Sequence, residues 1–466
     1  MQIMDINLES LKSTKVTNFV EGINESNLKR LEEYCGNYEE KFKDLQEKLV
    51  KHINSSDEAD KLEYFQWLKF PYLKEINESS IKLAAEVKAK GYKKAVIVGM
   101  GGSGINSLVL NNALAEFSKP RDKALELVVQ NNLDSSSMQA RLEQIGADLS
   151  KTLFVIISKS GGTDEVRRNL YSIISYQKKN SPEKLKELMA SLVFITEPAK
   201  EGKKNFLREL ASEIKEKYSV EVPFLENHPE VGGRFSMFSP VGMFSTELLG
   251  FDSKAMLAGA EECLNDFINE KSIKDNTISK LALIDLSLNQ SGIVDRYSMV
   301  YSDSLEAVNK FRAQLKGESL NKNSIDSTIH IPGIGTVNHH SDLELLLKDN
   351  NKVILEQIYF ENPVYEATNE AIDLENMKDL EGDSNHKSLI RNHIQPLRNY
   401  LIEKGAPIIT TVIPEQDEKN LAYFLFQDML VTIVQAGLQD EINSYEKLDL
   451  AIRQWEVERY KKSLKK

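Results

Sequence analysis

The sequence predicts an α/β protein of two doubly wound domains with mainly parallel sheets, carrying additional helices at the N- and C-terminal ends. Three observations carry this prediction. Short runs that are apolar on both faces recur along the chain, as in KKAVIVG at 93–99 and LFVIIS at 153–158. They alternate with helical patterns, and at 466 residues the chain is too long for one simple core. A strand that is apolar on both faces must be covered on both sides, which is the habit of parallel sheets with helical crossovers.

Residues 1–90 read as an N-terminal helical segment, with heptad-like apolar spacing and a charged face in LKRLEEYCGNYEEKFKDLQEKLVKHI. Residues 91–270 form the first α/β domain. Its strands are KKAVIVG, ALELVVQ, LFVIIS and SLVFIT, separated by helical stretches such as INSLVLNNALAEF and TDEVRRNLYSIISYQKK. Residues 271–440 form the second, with strands expected in KLALIDLSL, YSMVYSD, DSTIHIP, KVILEQIYF and APIITTVIP. Residues 441–466 read as a C-terminal helical tail.

Composition narrows the function. The chain has 59 basic and 71 acidic residues, a net charge of −12, and no basic tail, which argues against a nucleic-acid partner. No secretory signal is visible at the start, and the longest apolar stretch, LAYFLFQDMLVTIVQAGL, carries Gln427, Asp428 and Gln435. It reads as a buried helix of a cytoplasmic protein, with no membrane partner. Cys35 and Cys263 stand in no metal-ligand spacing, so no metal site is expected.

In an open parallel sheet, ligands bind where strands end and helices begin. The first strand runs into GMGGSGINS at 99–107, where glycines allow a tight turn and Ser103 supplies a hydroxyl. The third runs into SKSGGT at 158–163, which adds three hydroxyls and Lys159. Each precedes a helix whose free N–H groups favour an anion. Neither matches a Walker loop, and the hydroxyls and amides of the two loops suit a phosphomonoester on a small molecule as the preferred occupant. The plainer alternative is a pair of strand-to-helix turns with Thr163 as an N-cap. In EVGGRFSMFSPVG at 230–242, Arg234 sits among apolar neighbours, where a guanidinium could stabilise an oxyanion or close a buried salt bridge. In FRAQLKGESLNKNS at 311–324, a helical pattern ends in Glu318, with Gln314 one turn earlier.

These stretches, in this order, resemble the phosphoglucose isomerase family. GMGGSG is similar to its G-I-G-G-S, SKSGGTDE to S-K-S-G-T-T-T-E, VGGRFSMFSPVG to V-G-G-R-[YF]-S-x-x-[ST]-x-[VI]-G, and QLKGES to Q-L-x-x-E-S. Near the end, QWEVERYKK resembles Q-x-G-V-E-x-x-K. The resemblance implies two sugar-isomerase (SIS)-type domains and reversible isomerisation of glucose 6-phosphate and fructose 6-phosphate, in glycolysis and gluconeogenesis. It makes Ser103, Ser158, Lys159, Ser160 and Thr163 phosphate-binding positions, Lys159 through its backbone, with Gly102 and Gln314 as further substrate contacts. It makes Glu318 the general base and Arg234 the cation beside the enediolate. Lys461 becomes a ring-opening residue together with His340, followed by Ser341 as the family's histidine is; His339 is the rival. The family's histidine crosses from a neighbouring subunit, so a homodimer is implied. No cofactor is implied.

Three positions depart from the pattern: Gly162 replaces a threonine, and Asn321 and Glu456 replace glycines. Two competing expectations are a sugar-phosphate isomerase of broader specificity, also taking mannose 6-phosphate, and a non-catalytic sugar-phosphate-binding module. Comparing both hexose phosphates in one assay separates the first. Binding of fructose 6-phosphate without hydrogen exchange at C2 would identify the second.

Overall fold

The structure is a computed structural model and describes residues 11–12, 16–117, 121, 124–320, 329–348, 353–366, 374–380, 385–438 and 459. The chain divides into two compact units, Glu63–Ala258 and Met1–Leu62 together with Gly259–Lys466.

In the first unit five strands lie side by side in the order Glu126–Gln130, Lys94–Gly99, Leu153–Ile157, Leu192–Thr196, Phe224–Glu226, all parallel. Every residue of Leu153–Ile157 is buried, as a central strand covered on both faces requires. On one face Val96, Phe154, Ile156 and Phe194 pack against Leu170 and Ile173 of helix Asp164–Asn180 and against Leu207 and Ile214 of helix Phe206–Tyr218. The second strand in sequence flanks the first on one side and the third flanks it on the other. The chain therefore winds in opposite directions from the pair Lys94–Gly99 and Leu153–Ile157, and in open sheets of this kind ligands bind beyond the C-terminal ends of the strands at that reversal.

The second unit repeats this order. Its sheet runs Leu11–Lys12, Thr17–Glu21, Ile408–Glu415, Val353–Asn362, Asp295–Val300, His330–Ile334. The last four strands are parallel, whereas Thr17–Glu21 pairs antiparallel with Ile408–Glu415 and shields that edge. The fold class expected from the sequence is the one observed, with mainly parallel sheets covered by helices.

One expected strand is a helix. KLALIDLSL lies inside helix Thr277–Gln290, capped by Asn276, whose side chain accepts from the amides of Ile278 and Ser279. Residues 281–289 of this helix are all buried, so its apolar residues show no amphipathic period. A run buried on every side cannot be assigned to strand or helix by period alone. Helix Glu418–Leu438 behaves as expected: it is long and apolar enough to cross a bilayer, and it is buried inside the unit.

Helix Glu306–Leu320 is fastened to the sheet by polar groups on successive turns. Asn309 donates to the carbonyls of Ser298 and Gly333 at 2.9 Å each. Arg312 forks onto two buried carboxylates, Glu356 at 2.8 Å and Asp428 at 2.6 Å, and donates to Ser298 Oγ at 2.7 Å. Lys316 lies 3.7 Å from Asp285 and 3.8 Å from Glu356, and Asp285 also pairs with buried Arg296 at 3.1 Å. Three cations thus face three carboxylates. Burial alone would push the Glu356 carboxyl up, but Arg312 and Lys316 outweigh it and hold the group well below the usual carboxylate range.

His330 lies beside this network, and both its ring nitrogens are buried without hydrogen-bond partners. Burial, reinforced by Arg312, pushes its pKa down to about 3. Below about pH 6.5 the unfolded chain binds a proton here that the folded chain refuses until about pH 3, so stability falls with pH through that window. The loss attributable to His330 is about 2 kcal/mol between pH 6.5 and 4.5. Urea titrations at the two pH values should show a smaller drop for His330→Met than for the wild type.

Candidate active site

The two glycine-rich loops leave neighbouring strands, since Gly99 is in register with Ile157. In the first, Gly101 adopts φ 55° and ψ −134°, open in practice only to glycine, and helix Gly102–Leu110 follows. Gly102 is required by a close approach: a Cβ there would fall 2.1 Å from the carbonyl oxygen of Gly233. The loop is thus pressed against the backbone of the Gly-Gly-Arg segment. Asn106 ties the two together, donating to Ser236 Oγ at 2.9 Å and to the Gly233 carbonyl at 3.4 Å. The Ser103 side chain, half-buried, makes no hydrogen bond among the described residues.

The second loop is organised by its own hydroxyls. Ser158 Oγ and Thr163 Oγ1 are 2.8 Å apart, the Thr163 amide donates to Ser158 Oγ at 3.4 Å, and the Gly162 amide donates to Ser160 Oγ at 3.3 Å. Thr163 occupies the N-cap of helix Asp164–Asn180 without a side-chain capping bond. Hydroxyls and amides therefore converge at the start of a long helix, with donors that an oxyanion can take over. Asp164, whose charge in the first turn would repel an anion, is paired with Arg168 at 2.6 Å.

Lys159 is placed differently from its neighbours. Its ammonium donates to the Pro229 carbonyl at 2.6 Å, while its own carbonyl accepts from the Glu197 amide and Thr196 Oγ1. Burial lowers its pKa, opposed by Glu197. The side chain thus fixes the loop's base, and only its backbone remains near the loop's donors.

Arg234 lies in the short turn Gly233–Phe235 and is 1% exposed. Its guanidinium stands 4.9 Å from the Phe235 ring centroid, and Trp67 stacks on the same phenylalanine with ring centroids 5.1 Å apart. A permanent cation is held in poorly solvated surroundings, where its field on a nearby oxyanion is strongest.

In the other unit, Glu318 occupies the last turn of helix Glu306–Leu320. Gln314, one turn back, donates from Nε2 to Glu318 Oε1 at 3.1 Å and so orients the carboxylate. Gln314 Oε1 is buried without a hydrogen-bond partner. His339 and His340 lie in the turn Asn338–His340, which follows strand His330–Ile334. His339 is half-buried and bonded to Tyr301, whereas His340 is exposed and its ring makes no hydrogen bond among the described residues. The anchoring of Asn309, Arg312 and Lys316 shows the helix descending antiparallel to the strands. Glu318 accordingly lies at the end where the strands begin, and His340 where they finish. One copy of this sheet does not bring them together. Lys461, Asn321 and Glu456 lie outside the described residues.

Sequence reasoning passed over Asn106 and Ser236. Their only signal was a polar residue on the buried side of a helix next to a glycine-rich loop, which carries no specific chemistry. Among the described residues no cluster of His, Cys, Asp or Glu could hold a metal ion.

The fold and the loops define an α/β protein with two parallel-sheet units and hydroxyl-bearing loops at the C-terminal ends of neighbouring strands. A family profile described as phosphoglucose isomerase matches residues 72–336. The chain is 29% identical to the glucose-6-phosphate isomerase of Rubrobacter xylanophilus over 82% of its length and 85% of that protein's. It is 28% identical to the glucose-6-phosphate isomerase of Methanocaldococcus jannaschii, covering 76% and 81% respectively. Among solved structures, the fold is similar to a hypothetical protein from Thermus thermophilus, with a TM-score of 0.77, 20% identity, and coverage of 96% of this chain and 99% of that one. It is also similar to a glucose-6-phosphate isomerase from Chlamydia trachomatis, with a TM-score of 0.73, 18% identity, and coverage of 97% and 90%. The chain belongs to the phosphoglucose isomerase family.

Proposed function

We propose that this protein interconverts glucose 6-phosphate and fructose 6-phosphate, as a cytoplasmic enzyme of glycolysis and gluconeogenesis. The observation that carries the reading is the pair of hydroxyl-bearing loops on neighbouring strands at the winding reversal, with the Gly-Gly-Arg segment packed against the first of them. Ser103, Ser158, Ser160 and Thr163 hold the phosphate with the amides of their loops, and Lys159 contributes its backbone. Gly102 lets the first loop approach Arg234 closely. Anchoring a remote phosphate places C1 and C2 of the open-chain sugar and lowers the entropic cost of reaction.

Glu318, oriented by Gln314, removes the proton from one of these carbons and returns it to the other. The electron pair shifts through an enediolate whose oxygen is stabilised by Arg234. Oxidation at one carbon balances reduction at its neighbour, so the overall reaction needs no external redox partner. His340 and Lys461 open the sugar ring. A homodimer is supported by the placement of Glu318 and His340 at opposite ends of one sheet, since a second copy can supply the histidine.

The test is a coupled assay of purified protein with each hexose phosphate, with and without a chelator. Turnover that survives chelation, accompanied by solvent hydrogen exchange at C2, is expected. Binding without turnover or exchange would overturn the reading. Ser103→Ala removes a hydroxyl that makes no other hydrogen bond among the described residues. It should raise KM for fructose 6-phosphate about tenfold, the effect of one lost hydrogen bond to a charged group, with little change in kcat.

A further inference from the structure

The turn that carries His340 is held from both sides by two tyrosines of one strand. Tyr297 lies in Asp295–Val300, and Tyr301 follows it directly, four residues on and on the same face. Tyr297 Oη donates to Asp342 Oδ2, and that oxygen also accepts from Asn338 Nδ2 at 2.6 Å. Asn338 Oδ1 in turn accepts from the Ile334 amide at 2.7 Å. Tyr301 Oη lies 3.0 Å from His339 Nε2. The glycines between are fitted to the rings: a Cβ on Gly333 would fall 2.6 Å from Tyr297 Cε1, and one on Gly335 would fall 2.2 Å from Tyr301 Cδ1. Thr336 closes the turn at φ 40°.

The direction of the bond to His339 follows from its neighbours. Gln357 Nε2 reaches the Ile394 carbonyl at 3.4 Å, an obligate acceptor, while Gln357 Oε1 accepts from Thr410 Oγ1 at 3.4 Å. The amide is thereby oriented, and its Nε2 donates to Tyr301 Oη at 3.1 Å. The tyrosine's own proton goes to His339 Nε2, which leaves the neutral imidazole protonated at Nδ1. Burial, followed by His393 and His340, lowers the His339 pKa and keeps the ring in that neutral state. Both flanks of the turn are fastened, and between them the His340 ring is exposed and makes no hydrogen bond among the described residues.

We propose that Tyr297 and Tyr301 are positioning residues, a two-point clamp that holds the Asn338–His340 turn so that His340 projects from the strand ends in one orientation. This rests on the assignment of His340 to ring opening. His339 is then the clamp's inner contact, which separates the roles of two adjacent histidines. The clamp serves ring opening alone, so its loss spares a substrate that has no ring to open.

The experiment compares fructose 6-phosphate with 5-deoxyfructose 6-phosphate, a ketose that lacks the hydroxyl needed to close. Tyr301→Phe and Tyr297→Phe should each slow fructose 6-phosphate turnover by about tenfold or more, the scale of a misplaced catalytic group. KM should hold within about twofold, and the open ketose should turn over at close to the wild-type rate. His339→Gln, whose carbonyl still accepts from Tyr301, should recover most of the activity lost in His339→Ala. Equal loss on both ketoses, or no loss on either, would overturn the clamp. Should His340→Ala turn over fructose 6-phosphate normally, the assignment of His340 fails, and the clamp's role in ring opening with it.

Discussion

Glu318→Gln is expected to bind hexose phosphate as the wild type does and to lose at least about a thousandfold in kcat, within the range by which a positioned general base accelerates proton transfer. The substitution keeps the side chain's size and one oxygen for Gln314 Nε2 to donate to, so the helix end is left intact. What disappears is the lone pair that accepts the proton from carbon. The phosphate loops belong to the other compact unit and are untouched by the change. KM should therefore stay near its wild-type value while kcat and kcat/KM fall together, the signature of an interaction made only in the transition state. Solvent exchange at C2 should fall in parallel. Undiminished exchange would remove Glu318 from the mechanism.

Arg312→Met is expected to cost about 3–5 kcal/mol of stability, read as a lower urea midpoint, because it strands Glu356 and Asp428 without their shared cation. Arg312, Glu356 and Asp428 are each at most 5% exposed, so water cannot replace the lost bonds. Neither could a lysine: one ammonium cannot fork onto two carboxylates as the planar guanidinium does. Lys316, at 3.8 Å from Glu356, is too loosely placed to substitute. A midpoint within a few tenths molar of wild type would mean that the network contributes specificity of packing rather than stability.

The strands at 94–99, 153–157 and 192–196 were legible because burial on both faces leaves a nearly continuous apolar run, broken only at the ends by Lys94 and Thr196. The same demand hid helix Thr277–Gln290, whose all-round burial erased the period that distinguishes helix from strand. Thr17–Glu21 was missed within a segment read as helical. It is a short strand between Leu11–Lys12 and Ile408–Glu415; the second partner lies far along the chain, and nothing local announces that pairing. The charges of FRAQLK looked like an ordinary helical pattern, yet Arg312 and Lys316 are buried in an ion network assembled from four separate elements. The glycine-rich loops were readable because tight turns and close backbone approach leave a mark in residue type, as at Gly101 and Gly102. The bond from Gln314 to Glu318 was only a matter of spacing in the sequence. The structure shows which atoms meet.

The discontinuity of the second unit sets an order for folding during synthesis. Residues 63–258 emerge as one uninterrupted stretch and can close around their own sheet while the ribosome is still at work. Thr17–Glu21, made long before, lacks the partner on one of its sides until Ile408–Glu415 appears, and helix Glu418–Leu438, buried inside the unit, follows that strand out of the exit tunnel. The nascent chain thus carries a half-paired strand until residue 415 is made, and that half can close only once its most water-averse segment has been released.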